Sequence, residues 1–209
     1  MPVKQITLIR HAKVFANYDT KITASQMQEW VKNYNQASID NTLPTKEIIT
    51  QIKKANYITA STLPRTTDSL KLISITPDEI SHLFDEADIP DTNIGFVKLR
   101  PKNWLVFLRI MMLLGMGKDD KSFVKTKQRA KEASKKLIDL AKLHKNVVHM
   151  GHGGLNYLIE KELLSNGWEL VRKNGGNDNW GYRECHKFCV NTFFAHNIIP
   201  NLKHLSTSP

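Results

Sequence analysis

The stretch Gln5-Ile6-Thr7-Leu8-Ile9-Arg10-His11-Ala12-Lys13 decides the fold. Ile6, Leu8 and Ile9, with Val3 just before them, form a short apolar run rich in β-branched residues. That is the composition of a strand buried on both faces inside a parallel sheet. The run stops abruptly at Arg10-His11, followed by the small Ala12. Open α/β sheets gather ligands at the carboxyl ends of their strands, so a cationic pair at this position is placed for chemistry. A neutral imidazole there can attack an electrophilic phosphorus while the adjacent guanidinium grips two phosphoryl oxygens. Taken alone the triplet decides nothing, because a strand ending in two solvated polar residues reads the same.

Working outward, residues 13–23 form a polar loop containing Asn17 and Asp19. Thr23 or Ser25 caps a helix whose inner positions are Met27, Trp30, Val31 and Tyr34. A second helix follows Pro44, with Ile48, Ile49 and Ile52 on one face. Asn56 to Ala60 reads as a strand, Ser61-Thr62-Leu63-Pro64-Arg65 as the turn after it, and Pro64 as the first turn of a helix running through Leu70 and Ile73. Residues 79–84 read as a further extended piece that ends in Asp85-Glu86-Ala87-Asp88. Asn146 to Met150 is another strand, and Gly151-His152-Gly153-Gly154 follows it at once, before a helix marked by Leu155, Leu158, Ile159 and Leu163. The chain thus repeats its opening device of strand, histidine, helix. The glycines permit close backbone approach to a ligand, and the new helix presents N–H groups toward an anion. Alternating strands and helices predict an α/β architecture.

The composition is that of an ordinary globular chain: 209 residues, 41% hydrophobic and 24% charged, with a net charge of +10. One domain over 1–209 is expected. The positive balance favours anionic ligands without choosing among them. The basic run Lys118 to Lys136 reads as a solvated helix face. Aromatic residues do not interleave with it as a nucleic-acid stacking platform requires, so no nucleic-acid partner is expected. Trp104 to Met116 is apolar nearly all round, broken only by Arg109 and Gly115, and is shorter than the roughly 20 residues a membrane span needs. It reads as a buried or capping helix, with a membrane-surface or dimer contact as the other reading. No transmembrane segment and no signal peptide is expected. The cysteines, Cys185 and Cys189, lie roughly 13 Å apart if their stretch is a strand, too far for a disulfide. Cys185-His186 lacks the further ligands of a zinc site, and a reduced, cytoplasmic setting is expected.

Arg10-His11-Ala12, Ser61-Thr62-Leu63-Pro64-Arg65, an acidic residue near position 86 and Gly151-His152-Gly153-Gly154 occur in the order of the histidine phosphatase superfamily. The chain resembles its phosphoglycerate-mutase-like branch from about residue 4 to 160, and at its widest to Asn191. The resemblance implies a three-layer α/β/α sandwich around a mostly parallel central sheet with an antiparallel edge strand, and a variable cap around residues 92–120. Carried over by position, His11 resembles the nucleophile that becomes phosphorylated. Arg10 and Arg65 resemble the phosphate-clamping arginines, His152 the second histidine of the phosphate pocket, and Asn17 a further phosphate-binding position. Glu86 resembles the general acid and base, with Asp85 and Asp88 as alternatives. Ala12 stands where the family usually has glycine, and the family's usual glycine soon after the acid is missing.

The resemblance implies a phosphomonoester hydrolase working through a phosphohistidine on His11. The alternatives are a mutase-type phosphotransferase and a catalytically silent binder of phosphorylated ligands. A basic insertion such as the mutases carry is not evident, which favours hydrolysis. The expected chemistry needs neither metal nor cofactor, since Arg10, Arg65 and a protonated His152 would supply the cationic field, with Lys13 as a further contributor. Nearby positive charge keeps His11 unprotonated on its attacking nitrogen, and its other nitrogen is expected to donate to a backbone carbonyl. The expected partner is a small phosphorylated substrate, with an apolar part if the 104–116 segment shapes the pocket, or a phosphoprotein. Gly175-Gly176-Asn177-Asp178-Asn179-Trp180-Gly181 is a candidate second rim or an ordinary turn.

Overall fold

The computed structural model describes residues 3–87, 89, 94–113, 120–175 and 178–188. Strand β1 (Lys4–Arg10) is buried along Ile6 to Ile9, as its apolar run requires. Its parallel neighbour β4 (Asn146–Gly151) pairs in register, Leu8 opposite His149 and Arg10 opposite Gly151. Beyond β4 lie β2 (Tyr57–Ala60) and the two-residue β3 (Glu79–Ile80), both parallel to their neighbours. On the other side of β1 lie β6 (Tyr182–Lys187) and then β5 (Glu169–Asn174). The sheet order is β3-β2-β4-β1-β6-β5. The sheet is mostly parallel, as expected, but its antiparallel strand is β6, one position in from the edge. Being antiparallel to β6 in turn, β5 forms the edge. Residues 79–84 are extended only over Glu79–Ile80, and His82–Phe84 turn into a 3₁₀-helix.

Among the described residues four helices cover the two faces, and the alternation of side chains along the strands sorts the core into two layers. Ile6, Leu8 and Val147 pack against α5 (Asp120–His144) and α6 (Gly153–Ser165) through Leu137, Leu155, Ile159 and Leu163. Ile9, Val148 and Met150 point the other way, onto Ile48 and Ile52 of α2 (Lys46–Lys53) and Leu70 of α3 (Pro64–Leu72). The result is the expected α/β/α sandwich. Helix α5 begins inside the basic run, earlier than its apolar spacing predicts, and keeps a buried stripe of Ala130, Ala133, Leu137 and Ala141.

A third cluster stands apart from the sheet. Helix α1 (Ala24–Gln36) lays Ala24 and Met27 against Trp104 and Leu108 of α4 (Pro101–Leu113). Trp104 is fully buried, and its indole N–H donates to the Ile22 carbonyl at 2.7 Å. The apolar 104–116 segment is thus helical as far as Leu113 and lays one face on α1, while Val106, Phe107 and Ile110 on its outer face stay exposed. Its last expected residues, 114–116, lie outside the described residues, as do Gly176, Asn177, Cys189 and Asn191. Among the described residues no helix is long and apolar enough to cross a membrane.

Candidate active site

The carboxyl ends of β1, β2 and β4 meet at one rim. Their backbones hold it together: the His11 N–H donates to the Gly151 carbonyl at 3.1 Å, and the Arg10 N–H donates to the Gly181 carbonyl at 2.9 Å. The Trp180 N–H returns a bond to the Arg10 carbonyl at 3.2 Å. The glycine-rich stretch ending at Gly181 therefore anchors the end of β1. None of its described residues lines the cavity below, so it is a turn rather than a rim.

A cavity of about 420 Å³ opens at this rim. Its floor carries Arg10, His11 and Arg65, and its far wall carries Glu86, Arg109 and Arg129. Helices α1 and α4 close the top with Trp30, Val31, Tyr34 and Leu105.

The His11 ring is almost fully buried yet lines the cavity. Nδ1–H donates to the Ala12 carbonyl at 2.6 Å, which fixes the tautomer and leaves Nε2 with its lone pair, as expected. That lone pair accepts from Arg65 Nε–H at 3.2 Å. Burial first, then His152, Arg65 and Arg10, push the His11 pKa well below 6.5, so the ring is neutral.

Arg65 is a buried charge and is compensated accordingly. Its Nη1 donates to Asn35 Oδ1 at 2.9 Å, and its guanidinium lies 5.0 Å from the centre of the Tyr34 ring. Pro64 starts α3 at its N-terminal position, and Ser69 Oγ accepts from the Ala12 N–H at 2.8 Å. The two motifs are thereby stitched together over a separation of more than fifty residues.

His152 meets His11 edge-on, with ring centres 5.2 Å apart. Its Nε2 shares a 2.7 Å hydrogen bond with Ser61 Oγ, and its ring is fully buried behind the cavity rather than lining it. The expectation of a protonated His152 is overturned: burial, then Arg65, His149, Arg10 and Arg129, hold its pKa well below 6.5. Burial does most of this, and the arginines that were to share a cationic field with His152 add to it.

Glu86 occupies the place expected for an anion at the start of α6. Oε1 accepts from the Leu155 N–H at 3.0 Å and the Ala87 N–H at 3.0 Å, while Oε2 accepts from the Gly154 N–H at 3.4 Å. The helix N-terminus thus receives the protein's own carboxylate. A Cβ on Gly154 would sit 2.8 Å from Oε1, so a side chain here would push the carboxylate out of this position. Arg109 Nη2 reaches Oε2 at 3.3 Å, and Arg129 Nη2 donates to the Glu86 carbonyl at 2.9 Å. Burial pushes the Glu86 pKa up, but Arg109, the Ala87 N–H, Arg65 and the Leu155 N–H together outweigh it and hold the carboxyl below its usual range.

The alternatives for the acid fare differently. Asp85 also lines the cavity, but Oδ1 accepts from the Thr62 N–H at 2.8 Å, and both carboxyl oxygens accept from the Thr62 hydroxyl. His82 Nδ1 bonds Oδ2 at 2.9 Å, so the whole carboxylate ties down the turn after β2. Asp88 lies outside the described residues.

Asn17 does not reach the site. Its side-chain Oδ1 accepts from the Asp19 and Thr20 N–H groups and its side-chain Nδ2 donates to the Thr20 hydroxyl, all within an exposed turn. Lys13 is exposed and lines no part of the cavity. The polar cavity-lining residues missed from sequence are Gln28, Asn35, Arg109 and Arg129. For Arg109 a signal existed, since it is the one charge in the apolar run Trp104–Leu113. Among the described residues no group of three or more His, Cys, Asp or Glu side chains could hold a metal ion.

No family model and no curated protein sequence matches the chain. Solved structures do. The phosphoserine phosphatase of Entamoeba histolytica, in complex with 3-phosphoglyceric acid, superposes with a TM-score of 0.51 at 18% identity, over 86% of this chain and 89% of that one. An open reading frame product of Mycobacterium tuberculosis matches at 0.49 and 16% identity, covering 75% and 77%. A mycobacterial glucosyl-3-phosphoglycerate phosphatase matches at 0.47 and 12% identity, covering 78% and 80%. The first of these likenesses establishes a shared fold, the phosphoglycerate-mutase-like α/β sandwich.

Proposed function

We propose that this chain is a phosphomonoester hydrolase of the histidine phosphatase type, forming its covalent intermediate on Nε2 of His11. The observation that carries this reading is the Nδ1 bond to Ala12, which presents Nε2 to a cavity flanked by Arg10 and Arg65. An attacking nitrogen has to keep its lone pair, and a phosphate dianion has to be neutralised before any nucleophile approaches it.

In the first half-reaction Nε2 attacks phosphorus in line with the ester oxygen, the P–O bond breaks, and a proton from Glu86 goes to the leaving alkoxide. Arg10 and Arg65 bind the equatorial oxygens, where the transferred group's charge is spread. In the second, water attacks the phosphohistidine, its proton passes to Glu86, and the P–N bond breaks to release phosphate. His152 acts through His11, its ring bracing the nucleophile and its Nε2 anchored on Ser61.

The substrate is a phosphate ester with an apolar organic part. Trp30, Val31, Ile89 and Leu105 face the cavity beside the arginines, which suits a hydrocarbon portion better than a polyhydroxylated one. A cytoplasmic setting fits Cys185, which is buried and unpaired, with burial pushing its thiol up to about 12.

The test is a screen of aryl, lipid-like, sugar and peptide phosphates in the presence of a chelator. Chelator-resistant release of phosphate, fastest for esters with an apolar group, is the expected result. Binding of these esters with no release from any of them would leave the silent-binder reading in its place.

A further inference from the structure

Glu86 has to hold a proton when the alkoxide leaves and has to lack one when water is activated. Its surroundings are unequal to those two demands. Facing it are Arg109 from α4, Arg65 from α3, Arg129 from α5, the N–H groups of Gly154 and Leu155 from α6, and its neighbour Asp85. Arg10 of β1 lines the same cavity. Among the described residues only Arg109 meets the carboxylate head itself with a charge, at 3.3 Å, and it alone of these groups sits on α4. Its side chain is 41% exposed against 20% for Glu86, so the pair stands at the cavity mouth rather than in the core.

We propose that Arg109 is a positioning residue that partitions the reaction between its two halves, holding Glu86 as the base that activates water at the expense of the acid that protonates the leaving group. This rests on the phosphohydrolase reading above. The Arg109–Glu86 pair stabilises the carboxylate by its charge and points Oε2 toward the cap, while α6 holds Oε1 through the Leu155 N–H. Each turnover therefore weakens this pair when Glu86 takes a proton and restores it when the proton leaves. The atoms balance as already given: the proton that Glu86 gives to the alkoxide is returned by the attacking water.

Loss of the guanidinium favours the protonated form of Glu86. In Arg109→Met, transfer to His11 from an alkyl phosphate then persists to higher pH, so the basic limb of kcat/KM moves upward. Hydrolysis of the phosphohistidine slows at neutral pH, because the base is more often protonated. The steady-state fraction of phosphorylated His11 rises several-fold, and an aryl phosphate gives a burst of phenolate. Arg109→Lys retains a charge at the same place and restores the wild-type limb. Arg109 is half-exposed, so these variants are expected to fold, and Arg109→Gln gives a second neutral probe.

The decisive comparison is the pH profile of kcat/KM for an alkyl phosphate together with the phosphohistidine level, in wild type, Arg109→Met, Arg109→Gln and Arg109→Lys. An upward limb in both neutral variants, a higher phosphohistidine level and rescue by lysine support the inference. A uniform loss of rate with the limb and intermediate unchanged overturns it, and so does an identical response in Arg109→Lys. Wild-type protein that neither turns over substrate nor labels His11 would instead defeat the underlying phosphatase reading.

Discussion

Arg65 Nε–H donates to His11 Nε2 at 3.2 Å, so the arginine read as a phosphate clamp also touches the lone pair read as the nucleophile. The contact couples binding to attack. A phosphoryl oxygen that takes the guanidinium away from Nε2 releases the lone pair at the moment phosphorus arrives. The Asn35 and Tyr34 contacts keep the guanidinium aimed while it changes partner.

Arg65→Lys should therefore be a damaging change although charge is kept, because an ammonium lacks the planar fork. A fall in kcat/KM of roughly 10²- to 10³-fold is expected, the usual cost of one donor to a developing oxyanion. In Arg65→Met one of the charges that depress the His11 pKa is gone. The acid limb of kcat/KM, which reports protonation of His11, should move to higher pH. Direct titration of the ring by NMR checks this shift.

Glu86 and Asp85 are separable by leaving group. Glu86→Gln should slow alkyl phosphates far more than activated aryl phosphates, since a good leaving group needs little protonation. Asp85→Asn should leave that dependence alone and lower stability instead, because Asp85 carries the hydrogen bonds of the Thr62 turn. A loss of roughly 1–2 kcal/mol is expected, or a Tm lower by about 2–8 °C. A steep leaving-group dependence in Asp85→Asn would move the acid to that residue.

Most of the sandwich was legible because its signals are local. The β1 run, the Val147–Val148 strand and the Pro64 helix start are each written in a few adjacent residues, and the strand-end motifs fall where an α/β sheet collects ligands. Long-range consequences were not legible. That β6 runs antiparallel one strand in from the edge depends on pairing over more than 170 residues with β1. Asn17 matched a motif position, but its side chain is satisfied by its own turn, and spacing cannot reveal that competition. The neutral state of His152 arises from burial plus arginines on three other elements. Asn35 entered the site because α1 folds under α4, a docking that the sequence of either helix leaves open.

Three buried histidines tie stability to pH. Burial lowers the pKa of His149 to about 3, and burial with neighbouring charge lowers those of His11 and His152. Unfolding returns each toward about 6.5, so below that pH the unfolded chain binds protons that the native state refuses. Stability is complete above about 6.5 and falls with acidification, by about 1.4 kcal/mol per pH unit for each such histidine. Urea unfolding at pH 7 and at pH 5 measures the slope. His149→Gln should reduce the slope by one histidine's share, and an unfolding free energy independent of pH over this interval would contradict the assignment.

The cap should govern substrate choice without governing chemistry. Leu105→Ala and Val31→Ala shrink its apolar lining. Each should raise KM for esters with a hydrocarbon part, by roughly tenfold per side chain, and change inorganic phosphate inhibition little. Equal effects on polar sugar phosphates would argue that the cap does not read the organic group.

The most direct measurement is chemical: quench the protein during turnover of a ³²P-labelled phosphomonoester and locate the label by peptide mapping. Acid-labile, base-stable phosphate on the peptide bearing His11, absent from His11→Ala, is the expected result. Rapid turnover with no label at His11, or turnover that persists in His11→Ala, would contradict a phosphohistidine mechanism at this site.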